Sequence, residues 1–282
     1  MSTQTEPSKN EIPVLLLENI HPRASETFHA YADGRTYAIT RKSSALKEDD
    51  LIAALGGMQL LGIRSKTRVT KRVLENAPSL LALGCFCIGT NQVDLVTANA
   101  CGIPVFNAPF SNTRSVAELM IGEIITLARQ LGDRSSEVHK GVWKKVAASC
   151  YEVRGKTLGI VGYGHIGRQL GVLAESLGMR VIYFDIAPRL PMGNNRSVPS
   201  LNALLAEADF VSLHVPETPE TKNMIGQAQI ARMKKGSYLL NASRGTVVVI
   251  PDLAAALKSG HLAGAAVDVY PEEPESNTDA FR

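Results

Sequence analysis

The sequence predicts an α/β protein made of two sheet-and-helix units, and three observations carry that expectation. Short apolar runs alternate with helix-length amphipathic stretches through the first third of the chain, the pattern of parallel strands joined by crossover helices. A second alternation of the same kind fills the chain from Thr157 onward. Only the second holds a glycine fingerprint, Gly162, Gly164 and Gly167 in the spacing G-x-G-x-x-G.

The stretch TLGIVGYGHIGRQLGVLAESLGMRVIYFD organises the second unit. Its opening apolar run, 158–161, is of strand length. Ile166, Leu170, Leu173, Ala174 and Leu177 then recur at helical spacing, and a second apolar run ends in Asp185. In such a strand–turn–helix–strand unit the first glycine permits a tight turn and the second lets the backbone approach a pyrophosphate. The third lets helix and strand pack closely. The helix N-terminus offers N–H groups and partial positive charge to phosphates, and a carboxylate at Asp185 suits a ribose hydroxyl. A carboxylate there repels a 2′-phosphate, so NAD is expected rather than NADP. Arg189 would soften that preference if it faced the nucleotide, although a solvated loop charge is the simpler reading.

In the first unit, strands are expected over 14–18, 36–40, 60–64, 80–85 and 104–107, and helices over 22–32, 48–55, 69–77 and 93–101. The wide apolar stripe of a helix over 115–131 suits either a buried connector or a subunit interface. Beyond Asp185, a turn-rich loop over 187–199 leads to helices over 201–208, 227–234 and 252–258. Strands are expected over 210–215, 238–242 and 263–269.

A net charge of +3 over 282 residues argues for neither nucleic acid nor membrane. No apolar run reaches the length of about 18 residues that a membrane span needs. Residues 1–11 are polar, without the apolar segment of a signal peptide, and read as a disordered leader. Cys85, Cys87, Cys101 and Cys150 lack C-x-x-C spacing and are expected to be reduced, mostly core thiols, with Cys85 and Cys87 on one strand face. No metal site is expected.

In an open α/β sheet, ligands sit beyond the carboxyl ends of the strands. Asp185, His214, Arg244 and Asp268 stand at such ends. Arg244 in NASRGT offers a permanently charged fork for a carboxylate. Asp268, inside the apolar GAAVDVY, is expected to be shielded from solvent. His214 serves equally well as a satisfied core histidine, and Glu273 in PEEP, taken alone, as a solvated loop carboxylate.

The segments GCFCIGTNQVD, NAPFSNTRSVAEL, GIVGYGHIGRQLG, SLHVPET, NASRGTVV and AAVDVYPEEP, in that order, resemble the D-isomer-specific 2-hydroxyacid dehydrogenases. The branch most resembled is the bacterial-type D-3-phosphoglycerate dehydrogenases, and the likeness runs through almost everything after the first dozen residues. It implies a flavodoxin-like substrate domain over 1–110, lacking its C-terminal return segment. A Rossmann-type, doubly wound dinucleotide domain would follow over 111–282, C-terminally truncated, with the active site in the cleft between the two. It further implies that His165 and Ile166 bring backbone amides to the pyrophosphate of NAD and that Asp185 holds the ribose. Ala242, Ser243 and Arg244 would line the nicotinamide side, with Asp268 at the nicotinamide end and His214 among the cofactor-side residues. Arg244 would grip the substrate carboxylate, and Glu273 would pair with the catalytic histidine and raise its pKa. Arg64 and Ser65, assisted by Asn107, would bind the phosphate of the substrate.

The implied reaction is NAD-dependent oxidation of 3-phospho-D-glycerate to 3-phosphohydroxypyruvate, the first step of serine synthesis, in the cytoplasm. A glyoxylate or hydroxypyruvate reductase is the alternative within the family, and Arg64 discriminates against it. An NAD-sensing corepressor is the alternative of another class. The resemblance also implies a homo-oligomer, dimer or tetramer, for the full-length protein, with residues 115–131 and Trp143 as interface positions. The family's catalytic histidine belongs to a P-H-I-G-G motif. None of the six histidines here stands in that context. The expectation is therefore a fragment that keeps some NAD affinity, is poorly soluble and has no practical turnover.

Overall fold

The computed structural model describes residues 11–31 and 34–274. The expected polar leader over 1–11 lies almost entirely outside them. The described residues form two compact units that divide between Asn112 and Thr113.

The first unit runs β1 (Glu11–Leu16), α1 (Arg23–Ala30), β2 (Thr36–Arg41), α2 (Glu48–Ala54), β3 (Leu60–Ile63), α3 (Lys71–Glu75), β4 (Ala82–Cys85), α4 (Leu95–Ala100) and β5 (Val105–Asn107). Its strands pair in parallel in the order β2-β1-β3-β4-β5, the flavodoxin-like order. Both sheet faces are covered, which is why β1 reads as a continuous apolar run rather than an alternation. Leu15 and Leu17 join Leu51, Leu61 and Leu83 on one side, while Val14 and Leu16 meet Ile20 on the other.

Two differences from the sequence expectation have local causes. The helix expected over 69–77 is α3 alone, because Val69 is held extended in a bridge to Val93 and Thr70 caps the helix by accepting from Val73 N at 3.4 Å. Of the four thiols only Cys85 is buried, and burial pushes it up to about 11. Cys87 lies beyond the end of β4, so the two do not share a strand face.

The second unit runs α5 (Thr113–Arg129), α6 (Leu131–His139), β6 (Thr157–Val161), α7 (His165–Ser176), β7 (Arg180–Phe184), β8 (Arg196–Ser197), α8 (Leu201–Glu207), β9 (Phe210–Leu213), α9 (Gln227–Ile230), β10 (Ser237–Asn241), a 3-10 turn (Gly245–Val247), α10 (Ile250–Lys258) and β11 (Leu262–Val267). The parallel order β11-β10-β9-β6-β7-β8 reads 6-5-4-1-2-3 within the unit, the doubly wound order. The winding reverses between β6 and β9, and the crevice beyond their carboxyl ends is where such a sheet takes a ligand. On α5, Ala117, Met120, Ile124 and Ala128 are buried with residues of α7, β6 and β10, so the wide apolar stripe is used within the unit.

Helix α5 ends where Gln130 adopts a left-handed φ of 54°, and α6, which the sequence pattern did not suggest, starts directly after it. Strand β8 was also unexpected, being two polar residues paired with Ile182 and Tyr183. The helix expected over 227–234 closes after Ile230. Asp268 lies past the end of β11 and is exposed, not inside the strand and shielded as expected.

Candidate functional site

Gly162 leaves β6 with φ at 90°, and its N–H bonds Phe184 O at 2.9 Å. A Cβ there would collide with the His214 carbonyl, so the turn needs glycine for its backbone and for the close approach of β9. At Gly167 a Cβ would strike the Gly162 carbonyl oxygen and lie 3.0 Å from Ile160 Cγ2, so glycine lets α7 settle on β6. Gly164, the N-cap of α7, has nothing within 4 Å of an added Cβ. The one fingerprint glycine without a packing role is thus the one that caps the helix N-terminus. The first-turn amides there, including those of His165 and Ile166, form the positive end of α7.

Asp185 ties the end of β7 back to this turn. Its Oδ2 accepts from Tyr163 N at 2.8 Å, its Oδ1 from Ala187 N at 2.9 Å, and Arg189 Nε lies 3.4 Å from Oδ2. Its side chain is only 9% exposed. A cavity of about 430 Å³ runs along these groups, with Gly164, Phe184, Asp185, His214 and Val215 in its wall. Part of His214 reaches the surface, but Nδ1 is shielded and has no partner among the described residues, while Nε2 lies 2.8 Å from Ser212 Oγ. Burial lowers its pKa to about 4, so the ring is neutral at physiological pH. It contributes a neutral polar wall. A dinucleotide fits this set: an open glycine at a helix N-terminus, a carboxylate at the end of the second strand, and a wall that is apolar apart from groups such as the neutral His214.

The loop after β10 carries the second group. Asn241, fully buried, accepts from Ser243 N at 3.1 Å and Ser243 Oγ at 2.8 Å, and donates to Arg244 O at 3.0 Å. Ala242, Ser243 and Arg244 are therefore held on a fixed backbone, with Arg244 exposed and its Nη1 on Ser243 O at 2.7 Å. A Cβ on Gly245 would overlap the Tyr270 carbonyl, so that glycine lets the segment after β11 lie against the loop. Glu273 is exposed and accepts from Tyr270 N at 3.2 Å. Asp268 N donates to Asn241 O at 3.0 Å, which brings Asp268 to the carboxyl edge that bears Arg244.

In the first unit, Arg64 and Ser65 are exposed just past β3, and Asn107 is exposed at the end of β5, where its Nδ2 donates to Ile88 O at 2.7 Å. Gln92, 5% exposed, donates to Arg64 O at 2.8 Å and Gly89 O at 3.2 Å, linking the loops that follow β3 and β4. Glu18 accepts from the backbone of Arg64, Lys66 and Thr67. Glu18, Gln92, Asn241 and Gly245 were not singled out from the sequence; only the glycine after Arg244 gave a local signal.

Residues 121–282, more than half of the chain, match the family described as D-isomer specific 2-hydroxyacid dehydrogenase, NAD binding domain. The D-3-phosphoglycerate dehydrogenase of Dictyostelium discoideum is 58% identical over 277 residues, 98% of this chain and 67% of that protein. That of Escherichia coli (strain K12) is 55% identical, over 97% of this chain and 66% of its own length. D-3-phosphoglycerate dehydrogenase 2 of Saccharomyces cerevisiae is 56% identical, over 96% and 57%. The chain thus spans between 57% and 67% of the length of these relatives. Among solved structures, a Thermus thermophilus protein superposes with a TM-score of 0.84 at 31% identity, covering 95% of this chain and 85% of that one. The Aquifex aeolicus D-lactate dehydrogenase complexed with NAD and lactic acid gives 0.77 at 27%, covering 92% and 77%. The chain belongs to the D-isomer specific 2-hydroxyacid dehydrogenase family, and its second unit carries that family's NAD-binding domain.

Proposed function

We propose that the protein oxidises 3-phospho-D-glycerate to 3-phosphohydroxypyruvate with NAD, in the cytoplasm, at the entry to serine synthesis. The observation that carries the substrate assignment is the Arg64–Ser65 loop, which presents a guanidinium and a hydroxyl at a sheet's carboxyl edge from a backbone pinned on two sides. A substrate without phosphate has little use for that arginine.

Bound NAD supplies the hydride acceptor. The amides at the start of α7 bind its pyrophosphate and Asp185 its ribose, while Ala242, Ser243 and Asp268 border the nicotinamide. Arg244 holds the carboxylate of the substrate bidentately and orients the reacting carbon. Arg64 and Ser65 hold its phosphate, with Asn107 beside them. Glu273 would favour the protonated form of a histidine placed beside it to accept the hydroxyl proton, a role that none of the six histidines of this sequence is assigned. The test is NADH formation from 3-phospho-D-glycerate at the protein's full natural length, with Arg244→Ala as control. Faster reduction of glyoxylate or hydroxypyruvate than oxidation of phosphoglycerate would overturn the substrate assignment.

A further inference from the structure

A carboxylate sits underneath the loop that faces solvent with Arg64. Glu18 follows β1, is 8% exposed and holds a left-handed φ of 57°, a conformation uncommon outside glycine. Its own N–H bonds Ser44 O at 3.3 Å. Its Oε1 accepts from Arg64 N at 3.1 Å and Thr67 N at 2.8 Å, and its Oε2 from Lys66 N at 2.9 Å. Successive backbone amides converging on one point form an anion site in their own right. Here that site is filled from within the protein. Gln92 secures the other side of the same loop by donating to the Arg64 carbonyl.

We propose that Glu18 is a positioning residue for phosphate recognition: it occupies the main-chain amides of the Arg64–Thr67 loop, so that the loop offers phosphate its side chains alone. The inference rests on the assignment of Arg64 and Ser65 to the substrate phosphate. A buried negative charge is tolerated because it is hydrogen-bonded. Burial alone would raise the pKa of Glu18, but hydrogen bonds from the loop, those of its three backbone amides among them, outweigh it and hold the carboxyl below its usual range.

Glu18→Gln replaces an accepting oxygen with an NH₂ group that faces backbone donors. Two readouts on the NADH-loaded chain test the idea without turnover. Affinity for 3-phospho-D-glycerate should fall about tenfold, the loss expected for one charge-assisted hydrogen bond, while that for D-glycerate stays within about twofold. Hydrogen exchange at the amides of Arg64, Lys66 and Thr67 should speed up at least about tenfold while the β3 amides stay protected. Unchanged exchange at those three amides, or an equal fall for both ligands, overturns the proposal.

Arg64→Ala separates this inference from the reading beneath it. If Arg64→Ala abolishes the preference for the phosphorylated ligand and Glu18→Gln does not alter it, the role of Glu18 is wrong. If neither changes it, the phosphate assignment itself fails. Should Glu18→Gln not fold, Glu18→Asp keeps the charge but not the reach. It should show an intermediate loss of phosphate preference and partial loss of protection, and wild-type behaviour in both would refute the proposal.

Discussion

Replacing Asp185 with alanine removes a carboxylate that is 9% exposed and stands at the end of the strand beside the glycine turn. For NAD the loss is a charge-assisted hydrogen bond to the ribose, worth about 1.5–3 kcal/mol, or about 10–150-fold in affinity. For NADP the substitution removes a repulsion instead. Two unit charges about 4 Å apart interact by about 4 kcal/mol at an effective dielectric of 20, and solvent at the cavity mouth reduces that. Arg189, now 3.4 Å from Asp185 Oδ2, would also be released toward a 2′-phosphate. The amides of Tyr163 and Ala187 lose their acceptor too, but that weakens both cofactors and cancels in the ratio. The ratio of NADPH to NADH dissociation constants, measured by nicotinamide fluorescence, should therefore fall by about 100-fold or more. An unchanged ratio would mean that Asp185 does not face the ribose.

Further outcomes are expected. Gly162→Ala should lower the melting temperature and abolish NADH binding, because its Cβ meets the His214 carbonyl at a φ of 90°. Gly164→Ala should leave the melting temperature unchanged yet weaken NADH, since its Cβ meets nothing but the space the pyrophosphate approaches; equal melting shifts would refute that distinction. His214 has a folded pKa of about 4 against 6.5 in the unfolded chain, so below pH 6.5 the unfolded state binds more protons and stability is lost as pH falls toward 4. The loss approaches about 3 kcal/mol, and urea unfolding of His214→Gln should show a shallower pH slope over that window. At the protein's full natural length light scattering should report at least a dimer, and Trp143→Ser, at a residue 83% exposed, should weaken it; a wild-type monomer would remove the expected interface.

Much of the second unit was legible because its signals are local. The three fingerprint glycines, the helix pattern after them and the terminal Asp185 lie within one stretch of sequence, and each meets its structural demand within that stretch or one strand away. Features made by distant partners were not legible. Glu18 reaches amides 46 to 49 positions further on, and nothing in its neighbourhood distinguishes it from a strand-end glutamate. The break between α5 and α6 rests on Gln130 taking a left-handed conformation that its residue type does not advertise. Strand β8 is two polar residues recruited by β7, too short to show a period. Asp268 was misjudged for a related reason: apolar neighbours continue past the last paired residue of β11, so composition did not mark where the strand ends.

The central claim is that the first unit recognises a phosphate while the second binds NAD and the carboxylate of the substrate. The most direct measurement compares kcat/KM for 3-phospho-D-glycerate and D-glycerate at the protein's full natural length. Charge-assisted hydrogen bonds from Arg64 and Ser65, together worth about 3 kcal/mol or more, predict a preference of at least about 100-fold for the phosphorylated acid. That preference should collapse in Arg64→Ala. Equal values for the two acids in the unmodified protein would contradict the account.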